Sequence, residues 1–341
     1  MRKLTHDDLV RIKDGLKLTP GGAFMLADFL EKGDFRPTIK YDIPKWKLEL
    51  SPGLSAVGRT ARVPAINWTS PELAEVPEGT AMVDIDANGA YLSAGSSASF
   101  AFDQLENTGP HDPERDYIDP GYYLVDSHAW MYGAPGHPLG ADPGIGKRVW
   151  ITHPTYFLLR ELTYGGTWAP GGHWPALQAY DSWTSKTSCR LTEWTSLIRD
   201  LRKLFLEEDD RDGYEALKLG YSQAIQMWMV PPDPKGTPRD QLKKKNQWFR
   251  PDWYHTLRAQ HAFNMWRRAY IAHLKGHGPL QVGGAGHMTD GMLFREDDLK
   301  AILAEPKGPI RMDDTGTALG TFKRDPERSH YYWGMDEVDG Q

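Results

Sequence analysis

Cysteine is almost absent: the 341-residue chain holds one, Cys189. A single thiol excludes an internal disulfide and any multi-cysteine zinc site, so packing must hold the fold together. Long hydrophobic runs are missing too. No apolar stretch approaches the roughly 20 residues that a helical membrane span needs. The opening Met1-Arg2-Lys3-Leu4-Thr5-His6-Asp7-Asp8 turns acidic before a signal-peptide apolar region can form. The expected setting is therefore the cytoplasm, with no membrane partner. Repeats and low-complexity tracts are lacking, as are a Gly-x-Ser-x-Gly nucleophile elbow and a cysteine-histidine signature. Gly144-Ile145-Gly146-Lys147-Arg148 has arginine where a phosphate loop needs Ser or Thr, and is expected to be a turn. His273 and His277 lie four apart with no third ligand, which makes them helix-end or surface residues.

With 40 basic and 46 acidic residues the net charge is -6. That is unsuited to coating nucleic acid indiscriminately, because such affinity comes from Lys and Arg neutralising phosphates. The charge is uneven, however. Residues 190–275 hold 16 basic and 11 acidic side chains, whereas the remainder holds 24 and 35. Either one segment is suited to a polyanion or surface charges happen to cluster there.

Hydrophobic residues make up 40% of the chain, enough for a sizeable core. Thr5 and Asp8 form a capping-box-like start to the first of two short helices within the first 35 residues. Ala81 to Asp86 alternates Ala81, Val83 and Ile85 against Met82, Asp84 and Asp86, a strand with one face in the core. Both aspartates share the other face, where Asp84 is either a second ligand or simply exposed. Residues 101–147 read as loops with short strands, and Val149 to Arg160 as a strand running into a helix. Apolar residues at 194, 197, 198, 201, 204 and 205 predict an amphipathic helix whose other face bears Arg199, Arg202 and Lys203. A second helix, Tyr214 to Trp228, carries Lys218 and should pair antiparallel with the first across an acidic turn. A long helix from about Tyr254 to Lys275 and a hairpin around Asp290 follow.

Three stretches carry candidate chemistry, in this order: Asp86-Ala87-Asn88-Gly89-Ala90-Tyr91-Leu92-Ser93, Lys218-Leu219-Gly220-Tyr221-Ser222-Gln223, and His287-Met288-Thr289-Asp290-Gly291. Nucleotidyl transfer uses divalent ions held by carboxylate oxygens. Asp86 at a strand end and Asp290 at a hairpin turn could supply them, though each taken singly also suits an ordinary cap or turn. Arg199 and Lys203, four apart, could grip a triphosphate with Lys218, or could be a solvated helix face. Tyr91 is either a core aromatic or a ring beneath a sugar. Trp248 and Trp253 interleave with Lys243, Lys244, Lys245 and Arg250, a mix of rings and cations that suits single-stranded nucleic acid. The alternative is an exposed loop with its tryptophans tucked into the core.

Taken together, these stretches resemble the family B DNA polymerases. Asp86 to Ser93 looks like that family's first motif, an aspartate followed by a run ending in Leu-Tyr-Pro-Ser. Lys218 to Gln223 looks like its second, and Met288-Thr289-Asp290-Gly291 like its Asp-Thr-Asp-Ser. The separations, 132 and 72 residues, are similar to those of the compact, protein-primed branch. The resemblance implies that Asp86 and Asp290 are catalytic metal ligands and that Tyr91 is a sugar gate. It also implies that Arg199, Lys203 and Lys218 hold the incoming triphosphate, and that Ser222 stands near the nascent base pair. In the tail, Leu319 to Lys323 followed by Tyr331-Tyr332 resembles the segment that meets the primer strand, which marks Lys323 and Tyr332. The implied fold is α/β, a palm with a mainly antiparallel sheet plus two fingers helices and a rudimentary thumb. Its parts would be a region without assigned role at 1–79, palm at 80–189 and 236–310, fingers at 190–235, and a thumb-like tail at 311–341.

The implied activity is template-directed addition of deoxynucleotides to a primer 3'-hydroxyl with Mg2+, or Mn2+ in its place, during replication of a phage, plasmid or mobile element. Partners would be primer-template DNA, deoxynucleoside triphosphates, and a terminal or priming protein. Two alternatives stand beside it: a template-independent primase or terminal transferase, and a non-catalytic DNA-binding accessory protein with a palm-like shape. Departures from the family pattern are Met288, Gly291, Leu92 and Ile225-Gln226, where Asp, Ser, Pro and Tyr-Gly are usual. With 85 residues ahead of Asp86 and 51 after Asp290, no proofreading domain and only a weak grip on the primer are expected.

Overall fold

The computed structural model describes residues 5–10, 52–64, 66–115, 117–229, 249–283, 290–324 and 331–333. Its larger sheet runs β1 (Trp68–Thr69), β9 (Gln281–Val282), β10 (Gly291–Arg295), β2 (Ala81–Ala87) and β11 (Phe322–Arg324), with β12 (Tyr331–Tyr332) also pairing β2. Every pairing in it is antiparallel. Alternation in β2 sends Val83, Ile85 and Ala87 into the main core. There they meet Met292 and Phe294 of β10 and the long helix α6 (Pro251–Leu274) through Ala262, Met265 and Trp266. The opposite face is covered as well: Met82 and Leu293 pack with Val76, Leu280, Leu73 and Trp333. Asp84 is consequently buried at 3% exposure, and of the two aspartates only Asp86, at the strand end, is partly open to solvent. The periodicity identified the face correctly but not that a second layer closes over it.

Residues 106–184 build a separate antiparallel sheet in the order β4 (Glu106–Asn107), β7 (Ala179–Thr184), β5 (Gly121–Asp126), β6 (Arg148–Thr152). β6 runs into α3 (His153–Tyr164), and Tyr123 stacks on Tyr156 with ring centroids 4.4 Å apart. A register shift at Leu124/Val125 interrupts the alternation, which is why this stretch reads as loops. α1 (Pro52–Thr60) lays Leu54 and Val57 against Tyr122 of β5. The short pair β3 (Phe100–Ala101) and β8 (Ser188–Cys189) leads into the helical unit.

That unit consists of α4 (Thr192–Glu207) and α5 (Arg211–Met227), packed together as the antiparallel pair the sequence predicts. Leu197, Ile198, Leu201, Leu204 and Phe205 form the buried ridge of α4 against Leu217, Tyr221 and Ile225 of α5. Asp210 caps α5 by accepting the Gly213 N–H at 3.1 Å. α2 (Ala90–Ser97), which follows β2, is packed between α4 and α6. α7 (Glu296–Ala304) follows β10 directly. The predicted capping box is also present: the Thr5 and Asp8 backbone N–H groups donate to each other's side chains at 2.8 and 3.2 Å.

The tail implied to be thumb-like, 311–341, is described for residues 311–324 and 331–333. Its described strands complete the sheet on β2, with the Phe322 ring fully buried.

Candidate active site

Backbone pairing brings the two aspartates to one end of the sheet. Gly291 lies opposite Asp86, and the Ala87 N–H donates to the Asp290 carbonyl at 3.1 Å, so the ladder reaches Asp290 itself. Beyond Ala87 the chain turns through Asn88 and Gly89. Gly89 adopts φ 55° and ψ 50°, and a Cβ there would lie 2.6 Å from the Leu319 side chain, so the turn requires glycine. The Asn88 amide is buried and donates to the Asp313 carbonyl at 2.8 Å and to Thr321 Oγ1 at 3.1 Å, tying the turn to the tail.

Burial pushes the Asp290 carboxyl up to about 6, the Asp86 charge adds to the rise, and Lys218 and Lys323 oppose it. Asp290 Oδ1 is buried with no hydrogen-bond partner among the described residues. Lys323 sits opposite Asp86 in β11, its Nζ 3.9 Å from the carboxylate. A desolvated Asp290 carboxyl with one unpartnered oxygen, beside the half-exposed Asp86 carboxylate, is a donor set that a divalent cation could use. No cluster of three or more metal-ligating side chains occurs among the described residues.

The basic residues fall into two groups. Arg199 bonds to Asp200 at 2.8 Å and Lys203 pairs with Glu207 at 3.5 Å, both in the exposed surface of α4. Lys218 and Lys323 both act to lower the Asp290 carboxyl. Arg202, grouped by sequence with the polar face, is 3% exposed. Its guanidinium bonds to the Tyr214 hydroxyl at 3.2 Å, and its Nη1, without a hydrogen-bond partner among the described residues, lies 3.1 Å from where a Cβ on Gly89 would stand. Position 202 is four residues after Ile198 and three before Phe205, on the margin of the buried ridge. That spacing was the available signal, and the polarity of arginine hid it. The sequence motif gives Tyr221 no role of its own. It is buried, which pushes its phenol up to about 12; Arg202 opposes the shift and Asp290 adds to it. Ser222, beside it on α5, is half-buried.

Tyr91 on α2 is half-buried, its ring 5.1 Å from His261 and tilted by 57°. Together with Arg258, Pro64, Ile66 and Ala262 these rings line a shallow depression, so Tyr91 is neither sealed in the core nor free on the surface.

The proposed DNA contacts divide. Lys323 is beside Asp86, but Tyr332 pairs with Ala81 at the far end of β2, about 17 Å along the strand. Lys243, Lys244, Lys245 and Trp248 lie outside the described residues. Arg250 is a correction: it is fully buried, pairs with Asp252 at 2.8 Å and donates to the Ala101 and Phe102 carbonyls. Trp253 is buried beside it, donating to the Ala101 carbonyl at 2.8 Å. These residues pin the start of α6 to β3, and neither buried side chain is available to a nucleic-acid strand. His277 bonds to Asp298 at 3.0 Å and the partly buried His273 meets the Trp68 ring edge-on, which leaves them structural.

No family model and no curated protein matches this sequence. Solved structures do match. The phi29 DNA polymerase complex with primer-template DNA and incoming nucleotide aligns at a TM-score of 0.55 and 14% identity, covering 94% of this chain and 57% of the polymerase. The binary complex of the same polymerase with primer-template DNA gives 0.56 at 13% identity, over 94% and 57%. Its complex with single-stranded DNA gives 0.53 at 14%, over 94% and 57%. The chain thus spans less than two thirds of the length of phi29 polymerase, and at this identity the likeness concerns fold alone. The antiparallel sheet that joins Asp86 to Asp290, with its flanking helices, is part of an α/β fold like that of phi29 DNA polymerase.

Proposed function

We propose that this chain is a metal-dependent DNA polymerase that extends a primer 3'-hydroxyl with deoxynucleotides chosen by a template. The observation that carries this reading is the pair Asp86 and Asp290 on adjoining strand ends, one carboxyl desolvated and both facing cationic side chains. In the reaction the primer oxygen bonds to the α-phosphorus while the bond to pyrophosphate breaks, and pyrophosphate leaves. Magnesium, or manganese in its place, held by Asp86 and Asp290 would supply Lewis-acid stabilisation of the phosphoryl oxygens and ease ionisation of the primer hydroxyl.

The side chains have separate tasks in this reading. Asp290 must be ionised to accept a cation, which burial resists below about pH 6. Arg202 and Lys218 approach the site from the two packed helices and orient the triphosphate, Arg202 from beside the turn that begins α2. Arg199 and Lys203 contribute at longer range through the field that attracts the polyanion. Tyr91 lies beneath the sugar, Ser222 near the nascent pair, and Lys323 beside the primer end. Replication of a phage, plasmid or mobile element, with a priming protein as partner, fits the protein-primed branch that the motif spacing resembles.

The test is extension of a labelled primer by each deoxynucleotide singly, in magnesium and in manganese, with Asp86→Ala as the inactive control. Template-matched extension lost in Asp86→Ala is expected. Extension indifferent to template would replace this reading with a template-independent transferase, and binding without extension would replace it with an accessory protein. Among active variants, Arg202→Ala is expected to raise the nucleotide KM about tenfold or more, as loss of a buried charge-assisted contact should. Arg199→Ala and Lys203→Ala should each change it about twofold at most, because both side chains already spend their charge on neighbouring acids. Equal effects at all three positions would remove Arg202 from the phosphate site.

A further inference from the structure

Arginines in this protein are commonly neutralised: Arg62, Arg148, Arg199, Arg250 and Arg295 each pair with a carboxylate. Three others gather beside the sheet without an ion-pair partner among the described residues. Arg268 of α6 donates to the Gly320 carbonyl at 2.6 Å and holds its guanidinium 5.1 Å from the centre of the Phe322 ring. Arg311 lies across the same residue, its carbonyl accepting the Phe322 N–H at 2.8 Å while its side chain is exposed. Arg267, the neighbour of Arg268, stands 5.6 Å from the Trp168 ring centre with a buried Nε that lacks a hydrogen-bond partner. Burial and the charges of Arg267 and Arg311 together push Arg268 down to about 10, so both neighbours repel the Arg268 guanidinium.

Among the described residues the nearby acids form no ion pair with these three arginines. Glu161 acts on Arg267 only at a distance. Asp313 accepts from Thr315 and Ala318, and Asp314 from the Arg324 backbone. The cluster also adjoins the carboxylate pair: Phe322 pairs with Ala87, Lys323 with Asp86, and the Gly320 N–H donates to the Asn88 carbonyl at 2.9 Å.

Free phosphate and a phosphodiester strand share the chemistry that could satisfy such a cluster, and geometry separates them. Adjacent helix positions point about 100° apart, and Arg267 and Arg268 accordingly diverge, one over Trp168 and the other over Phe322. Charges spread in this way cannot close on one phosphate, but they match the regular charges of a strand. The aromatic rings beneath them fix the guanidiniums without neutralising them. We infer that Arg267, Arg268 and Arg311 hold the sugar-phosphate backbone of the nucleic-acid strand whose 3' end reaches Asp86 and Asp290. The identity of that strand as the primer rests on the polymerase reading; the binding itself does not.

The experiment measures affinity of the full chain for a fluorescent primer-template across a salt series, in EDTA and without nucleotide, so that catalysis does not enter. Arg268→Ala and Arg311→Ala should each flatten the slope of log affinity against log salt by about one. Arg268→Lys should keep the slope, and Arg148→Ala, on the other sheet, should leave it unchanged. Should Arg268→Ala fail to fold because the Gly320 contact is lost, Arg311→Ala decides alone, since its bond to Phe322 is made by backbone. Unchanged slopes in Arg311→Ala overturn the site, as does displacement of the DNA by equimolar pyrophosphate. Neutral methylphosphonate links near the primer 3' end should abolish the Arg311→Ala effect; if the same links in the template strand do so instead, the strand assignment is wrong. Flattened slopes with no extension by wild type would retain the site and overturn the polymerase reading. Normal extension with unchanged slopes would do the reverse.

Discussion

Asp290→Asn is expected to lower metal-dependent incorporation by about 10³-fold or more and, in the same protein stripped of metal, to raise stability above pH 6. The second effect follows from burial. Asp290 keeps its proton up to about pH 6 in the folded chain, whereas an ordinary aspartate releases it near 3.8. Below pH 4 both states are protonated and the residue makes no difference. Between about 4 and 6 the unfolded chain gives up its proton first, so stability falls as pH rises. Above 6 the whole cost is present, about 2 to 3 kcal/mol at 1.36 kcal/mol per pH unit, with an allowance for partial exposure. Asparagine removes that cost. Melting of the two proteins in EDTA should therefore coincide at about pH 3 and separate in favour of Asp290→Asn at about pH 7.5. Added magnesium should narrow the gap by stabilising the wild type alone. A variant no more stable than wild type at pH 7.5 would mean that the carboxyl is not held at a cost, and normal incorporation would remove it from the chemistry.

Arg250→Ala should lose about 3 to 5 kcal/mol of stability, the usual consequence of leaving one member of a buried ion pair behind. Its guanidinium is fully buried and serves Asp252 and two carbonyls at once. Burial already raises the Asp252 carboxyl, with Arg250 as the main opposing influence. Without that arginine the carboxyl should take up a proton on folding, so the loss should be smaller at pH 4 than at pH 7. Arg250→Ala combined with Asp252→Asn should be less destabilised than the sum of the single changes. For protein that remains folded, DNA affinity and its salt slope should match wild type. A weakened, flatter salt dependence in a stably folded Arg250→Ala would restore the nucleic-acid role suggested by the neighbouring lysines and tryptophans.

Local pattern determined a large share of this molecule. The alternation at 81–86, the 3.6-residue ridge from Leu197 to Phe205, the helix from about 254 to 275 and the Thr5–Asp8 cap all recur in the structure because each is written in adjacent residues. The candidate carboxylates were also legible, since their order and separation along the chain need no knowledge of contacts. Tertiary structure decided what covers each face. Asp84 is sealed by Leu293 and the layer around Met82, Arg202 is drawn under the turn at Gly89, and Arg250 is sunk into the start of α6. The same limit hid the second sheet and the return of the tail onto β2, whose partners lie far away in sequence. Periodicity reports the direction of a side chain relative to its own helix or strand. Whether that direction meets water, a carboxylate or another layer is set by chain segments tens to hundreds of residues away, and for long cationic side chains this decides between a ligand contact and a core clamp.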